Sequence, residues 1–427
     1  MLKVLFRTSF LSALSVVARG LSLLIVNKLL ASVAGPGAYV VLGNFQNAYV
    51  LISSLAAGST AVGITKYTAE HFDNQPRQQE IWRAALSITV VCSAVLAIFC
   101  FILAAPLSYY ILGDEQFKSS IRLLSLFIFP TALHLVFLAI LNGRKKVGSY
   151  VIANVATSII LVAISCLLVK TSGVQGIVAS LALYQALTMP LTLYLCFRER
   201  LFSIGQFSSF GRLTDCWLLG KYSIMALISA ITGPLAQYAI RTYLAKTHGV
   251  DSAGLWEAVN RLSGMYLLIV ISPLTVYYLP RFSEIRAANE LKREIKLGYL
   301  IILPCSILSA FLIYFYRIEL TVLLFSEKFV SMNVLMGWQC VGDVLKIGSW
   351  LLGFLMLARG LYKPFIATEL IFATTSVILS ILFVRNNGPL GAQMAYALNY
   401  AAYWGATAII THRHINSPAS PLNRHTA

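Results

Sequence analysis

Apolar runs longer than any soluble core element needs set the first limit on this chain. ALSITVVCSAVLAIFCFILAA (85–105) and VIANVATSIILVAISCLLV (151–169) contain no charged residue. About 18 such residues are enough for a helix to cross the hydrocarbon core of a bilayer. In that core, backbone polar groups must be satisfied within a helix or a closed barrel. Barrel strands are about 10 residues of alternating pattern, and these runs do not alternate. An all-α polytopic membrane protein is therefore predicted. Composition agrees, because 58% hydrophobic and 11% charged residues leave too little polar surface for a soluble protein of 427 residues.

About twelve spans are predicted, near 8–32, 38–60, 83–105, 122–142, 148–170, 175–196, 219–243, 253–279, 295–316, 333–359, 364–384 and 388–411. Lys3 and Arg7 precede the first, which runs through Arg19 without a small-residue cleavage motif and so reads as a permanent span. With the N-terminus cytoplasmic, loops on that side collect Lys66, Arg77, Arg83, Arg144, Lys145, Lys146, Arg198, Arg200, Arg212 and Arg281, among others. That gives about 21 Lys and Arg inside against about 8 outside. Both termini are accordingly expected in the cytoplasm. The same bias explains the net charge of +17 without a nucleic-acid partner, for which no soluble domain exists.

The stretch RERLFSIGQFSSFGRLTDCWLLGK separates six spans from six. The expected layout is an N-terminal six-helix bundle (1–200), a cytoplasmic linker (201–218), a C-terminal six-helix bundle (219–411) and a polar tail (412–427). LLASVAGPGAYVVLGNFQNAYVLI, from Leu29, echoes YLAKTHGVDSAGLWEAVNRLSGMYLLI, from Tyr243. Six spans per half give both copies one orientation, as in parallel repeats related by a pseudo-two-fold axis along the membrane normal. Several prolines lie within or near spans. Gly233-Pro234 is the hinge candidate, because glycine adjoins proline there.

Motifs for bond-making chemistry are missing. There is no Walker A loop, GxSxG or HExxH, and no loop is long enough for a catalytic domain. The seven cysteines are dispersed without a CxxC pair, and His412 and His414 have no further ligands nearby, so neither metal nor cofactor is expected. The pattern favours a transporter over an enzyme.

Charges nevertheless occur inside the spans, where each costs roughly 2.5–3.5 kcal/mol on insertion scales. Gln339, Asp343, Lys346 and Trp350 are spaced 4, 3 and 4 apart and share one helical face. Glu257 and Arg261 are at i and i+4, suited to an intrahelical pair, with Asn260 beside them. Arg19 and Lys28 lie in the first span, Asn44 and Asn47 in the second, and Glu369 in the eleventh. Two readings stay open. Glu257–Arg261 and Asp343–Lys346 are self-neutralising pairs that fix packing, or the cations Arg19, Lys28, Arg261 and Lys346 line a wet cavity that attracts phosphate. On the second reading Glu257, Asp343 and Glu369 are candidates for a coupling ion. Asp343→Asn would then stop transport at normal protein levels.

NFQNAYVLISSLAAGSTAVGITKYTAEHFDN, KYSIMALISAIT, GLWEAVNRLSGMYL, LFSEKF and WQCVGDVLKIG resemble the Wzx-type flippases of lipid-linked oligosaccharides. The likeness is to the group serving enterobacterial common antigen and O-antigen, and it runs in order through nearly the whole chain. That family belongs to the superfamily of multidrug and toxin extruders, with twelve spans in two six-helix bundles. The resemblance implies a flippase in the bacterial inner membrane that moves undecaprenyl-diphosphate-linked repeat units to the periplasmic leaflet by alternating access. It also implies a polysaccharide polymerase and chain-length regulator as partners. Arg19, Lys28, Asn44, Trp256, Asp343 and Lys346 match shared positions. Gln46 stands where the common-antigen member has a basic residue, and Glu257 and Arg261 fall in a less similar patch, which leaves the glycan open. The alternative is an ion-coupled multidrug extrusion antiporter, whose cationic substrates suit a cationic cavity poorly.

Overall fold

The computed structural model describes residues 2–202, 211–285 and 287–416, and every regular element among them is helical. In chain order these are α1 (Leu2–Val33), α2 (Ala38–Ala56), α3 (Ala61–Glu70), α4 (Gln75–Ile102), α5 (Ala104–Leu107), α6 (Lys118–Gly143) and α7 (Val147–Arg198). There follow α8 (Leu213–His248), α9 (Val250–Glu284), α10 (Ala288–Phe315), α11 (Arg317–Leu324), α12 (Asn333–Ala358), α13 (Tyr362–Asn387) and α14 (Pro389–Asn416). Glycine sets two breaks. At Gly173, φ +52° and ψ −125° interrupt α7, so that its 52 residues supply two spans. Between α2 and α3 the axis turns by 46°, with Gly58 at φ +64° and Ser59 at φ +50°. A Cβ on Gly58 would also come within 2.3 Å of Ile88 Cγ2, so this position needs glycine twice over. With α2–α3 taken as one bent span and α7 as two, the described residues form twelve long helical segments.

Seven helices are long and apolar enough to cross a membrane, or eight counting the bent pair, among the described residues. Their outward faces are apolar: Ile102, Leu167 and Leu300 are 69–71% exposed. Such side chains suit a hydrocarbon solvent and not water. The protein is a multi-pass membrane protein. α8, α9 and α14 are not among those helices; they carry Arg241, Glu257, Arg261, Gln393 and Asn399 instead.

The chain divides into two compact units. Unit 1 comprises Met1–Ala34 and Val40–Pro234, and unit 2 comprises Gly35–Tyr39 and Leu235–Ala427. The division therefore falls within α8, directly after Gly233-Pro234. Unit 1 closes on a core of Ile64, Trp82, Ile128, Val136, Ile140 and Leu219. Trp82 is pinned there because its indole N–H donates to Thr68 Oγ1 at 2.9 Å. Unit 2 closes on Leu267, Phe282, Leu291, Ile302, Ile347 and Leu351. The order of elements recurs between the units. After α4 come α5 and a 3-10 turn at Glu115–Phe117 that leads into α6; after α10 come α11 and a 3-10 turn at Glu327–Met332 that leads into α12.

Of the expected linker, residues 203–210 lie outside the described residues, as do 417–427 of the expected tail; residues 412–416 continue α14. The described part of the linker is held on α4. Arg77 bonds Asp215 at 2.6 Å, and the Gly211 N–H donates to Ser87 Oγ at 2.9 Å. A second polar clasp closes the ends of α7. The Lys146 ammonium lies 2.8 Å from Glu199, which also accepts from Ser149 Oγ at 2.6 Å. These donors hold the Glu199 carboxyl below its ordinary pKa. A depressed folded-state pKa stabilises above the unfolded value and is lost as pH falls through the folded value. Glu199→Gln should lower the melting temperature at neutral pH, and its deficit relative to wild type should close as pH falls below the carboxylate range. A deficit independent of pH would assign the clasp to packing.

Candidate functional site

Buried charge in unit 2 centres on two clusters. In the first, Glu257 on α9 is bound by Arg241 on α8, with Nη2 at 2.6 Å and Nε at 3.0 Å from Oε2, and by Arg261 Nε at 2.9 Å from Oε1. Arg241 is fully buried, and the Arg261 side chain is 9% exposed. The expected i, i+4 pair is thus part of a triad. Two guanidiniums against one carboxylate leave a net charge of +1 in this buried place. Aromatic faces supply further stabilisation: Trp256 lies 5.8 Å from the Arg241 guanidinium and Tyr39 5.8 Å from that of Arg261. Asn260 donates to the Trp256 carbonyl of its own helix at 2.8 Å. Arg241 escaped the sequence reading because it stands near the end of a span, 16 residues from its partner. Only the α8–α9 turn brings them together.

The second cluster surrounds Asp343 on α12, which is fully buried. Its carboxylate accepts from Ser263 Oγ at 2.7 and 2.8 Å, from Gln339 Nε2 at 3.0 Å, from the Tyr396 hydroxyl at 2.7 Å, and from the Tyr266 hydroxyl. α9, α12 and α14 therefore meet on one anion, and each donor satisfies part of its charge. Asp343 and Lys346 make no direct ion pair among the described residues. Lys346 is half-buried and its ammonium lies 5.1–5.5 Å from the ring centres of Trp350, Tyr396 and Tyr400. Tyr396 bridges the two residues, bonding Asp343 through its hydroxyl and facing Lys346 with its ring. The single polar stripe anticipated on α12 is thus divided: Gln339 and Asp343 are buried, while Lys346 and Trp350 are partly accessible. Glu369, on α13, is half-buried beside Tyr403.

Unit 1 contains a cavity of about 760 Å³. Arg19 and Lys66 line it with Tyr49, Tyr150, Tyr184 and Gln185. Among the other sequence candidates, Lys28 is exposed near the end of α1, outside this lining. Asn44 is buried and donates to the Ile111 carbonyl at 2.8 Å, and Asn47 donates to the Pro234 carbonyl at 3.3 Å. Both asparagines thus bond backbone carbonyls of their own unit. Lys66 was counted only among loop cations. The break at LAAGSTA, which turns its helix towards the cavity, is the sequence signal for it.

Apolar outer faces, two helical units and buried charge describe a helical membrane protein with a polar interior. The fold matches a multidrug resistance MATE family transporter of the MOP superfamily in its inward-facing conformation (TM-score 0.78, 15% identity, 96% of each chain). It also matches a MOP superfamily transporter from Pyrococcus furiosus (TM-score 0.71, 14% identity, 94% of this chain and 96% of the other). The chain belongs to the polysaccharide biosynthesis protein family, whose model matches residues 4–286. Its relatives include the Lipid III flippases of Escherichia coli K12 and Shigella flexneri, each 27% identical over 381 residues, 89% of this chain and 92% of the relative.

Proposed function

We propose that this protein is a flippase of the bacterial inner membrane. It moves undecaprenyl-diphosphate-linked oligosaccharide units, of the lipid III or O-antigen kind, from the cytoplasmic to the periplasmic leaflet by alternating access. The observation that carries this reading is the likeness to Lipid III flippases along 89% of the chain. The cations held within the spans support it, because diphosphate is the feature common to all such substrates. Lys346 and the Arg241–Glu257–Arg261 triad supply that charge in unit 2, and Arg19 in unit 1. Trp350 and Tyr400, both partly accessible, offer faces on which a sugar ring can stack. Gly233-Pro234 is the hinge, at the point where α8 passes from one unit to the other. Both termini face the cytoplasm, and a polysaccharide polymerase with its chain-length regulator receives the product. Multidrug transporters share the fold, but a cationic lining disfavours cationic drugs.

Reconstitution tests the function directly. Protein in liposomes should expose a lipid-linked glycan, added to one leaflet, to a glycan-specific probe on the other, and should do so faster than protein-free liposomes. Proton- or sodium-driven export of a cationic dye without glycan movement would establish the extruder activity instead.

A further inference from the structure

We infer that the basic end of α10 is a binding site for an anionic phospholipid, with Arg293 and Lys296 on the headgroup phosphate and the apolar stripe beyond them on an acyl chain. The inference does not depend on what the protein moves. α10 is among the helices long and apolar enough to cross a membrane. Its charge-free run, Leu297 to Tyr316, has 20 residues, which is about 30 Å of helix and so the depth of a hydrocarbon core. Arg293 and Lys296 stand within one turn of its edge, at the level of lipid headgroups, and both are exposed.

Packing decides which face carries them. Leu291, Gly298 and Ile302 are buried and turn one side of α10 into unit 2, where a Cβ on Gly298 would come within 3.0 Å of Leu351 Cδ2. Arg293, Leu297, Leu300, Pro304 and Ile307 are spaced 4, 3, 4 and 3 apart on the opposite face, with Lys296 beside them, and all are exposed. Leu300 is 69% exposed and Ile307 55%. From Leu297 to Ile307 the helix rises about 15 Å, the depth of one leaflet. A cationic head above an apolar track of that length matches the two parts of a phospholipid.

The nearby carboxylates of α10 are engaged elsewhere. Glu290 accepts from Arg281 Nη2 at 2.9 Å, and Glu294 lies 3.6 Å from Arg281 Nε and accepts from the Tyr277 hydroxyl at 3.1 Å. Lys292 donates to Asn416 Oδ1 at 2.8 Å, on the flank towards α14. Arg293 and Lys296 make no ion pair among the described residues. A phosphate arriving there meets two cations, one of them a guanidinium suited to bidentate contact. Charge also selects the lipid class. In a zwitterionic lipid the ammonium offsets the phosphate, whereas phosphatidylglycerol and cardiolipin keep a net negative charge for the cations to hold.

Purified full-length protein in detergent tests the site, with phosphatidylglycerol and phosphatidylethanolamine of the same acyl chains as probes and native mass spectrometry to count bound lipid. Phosphatidylglycerol should be the tighter ligand. A basic residue at an anionic lipid surface is worth about fivefold in binding, so Arg293→Gln and Lys296→Gln should each cost about fivefold and the double variant about 25-fold. Phosphatidylethanolamine binding and the melting temperature should not change, since both residues are exposed. Lys145→Gln, which removes an exposed cation of unit 1, should bind as wild type. Unchanged phosphatidylglycerol binding by the double variant overturns the site, and an equal loss in Lys145→Gln overturns it in favour of diffuse charge. Glycan-free polyprenyl diphosphate that displaces phosphatidylglycerol through the same two residues would overturn the phospholipid assignment and make this end of α10 a port for substrate.

Discussion

Glu257→Ala is expected to destabilise the protein by about 3–5 kcal/mol, the cost of leaving buried charge without its partner. Two guanidiniums would be stranded: Arg241 is fully buried and the Arg261 side chain is 9% exposed. Thermal unfolding in detergent and the level of protein in membranes should both fall. The triple replacement Arg241→Met, Glu257→Leu, Arg261→Leu removes the charges together and should recover most of that stability, since apolar groups of similar size replace buried ion clusters at little cost. It should still move no glycan, because the net positive charge has gone. Normal transport by a stable triple variant would reduce the triad to packing.

Asp343 and Lys346 are expected to separate into different phenotypes. Lys346→Gln should cost little stability, since the residue is half-buried, makes no ion pair among the described residues and gives up only its contacts with three aromatic rings. Glycan transport should fall at least tenfold, and Lys346→Arg should retain part of it. Asp343→Asn should also stop transport, but not at full protein stability as the sequence alone suggests. Its carboxylate accepts from four side chains, and an amide nitrogen would meet donors. Hydrogen bonds to a charged group contribute about 1.5–3 kcal/mol each, so losing even one lowers the melting temperature measurably. Asp343 then acts by holding Tyr396 against Lys346. An Asp343→Asn variant as stable as wild type would refute that positioning role.

These contrasts show what the sequence made legible. Span positions were readable because an apolar run of fixed length is a one-dimensional signal: 333–359 was expected, and α12 covers Asn333–Ala358. The two spans in α7 were separable because Gly173 interrupts them. The i, i+4 rule found Glu257–Arg261 but could not find Arg241, whose contact depends on the turn between two helices. Helical spacing placed Asp343 and Lys346 on one face, yet it could not show which would be sealed in. That was decided by Ser263 and Tyr266, which are 80 and 77 residues distant, and by Tyr396, 53 residues distant. Charge counting filed Lys66 as a loop cation, because the cavity exists only once α2 and α3 bend apart.

The most direct test of the central claim is a lipid extract from cells lacking this gene. Mass spectrometry of polyprenyl-diphosphate-linked glycan, read beside surface polysaccharide, should show the linked repeat unit accumulating as the surface polymer is lost. The intact gene should reverse both changes, and the mass should identify the glycan. Unchanged pools in a strain without a second flippase would contradict the account.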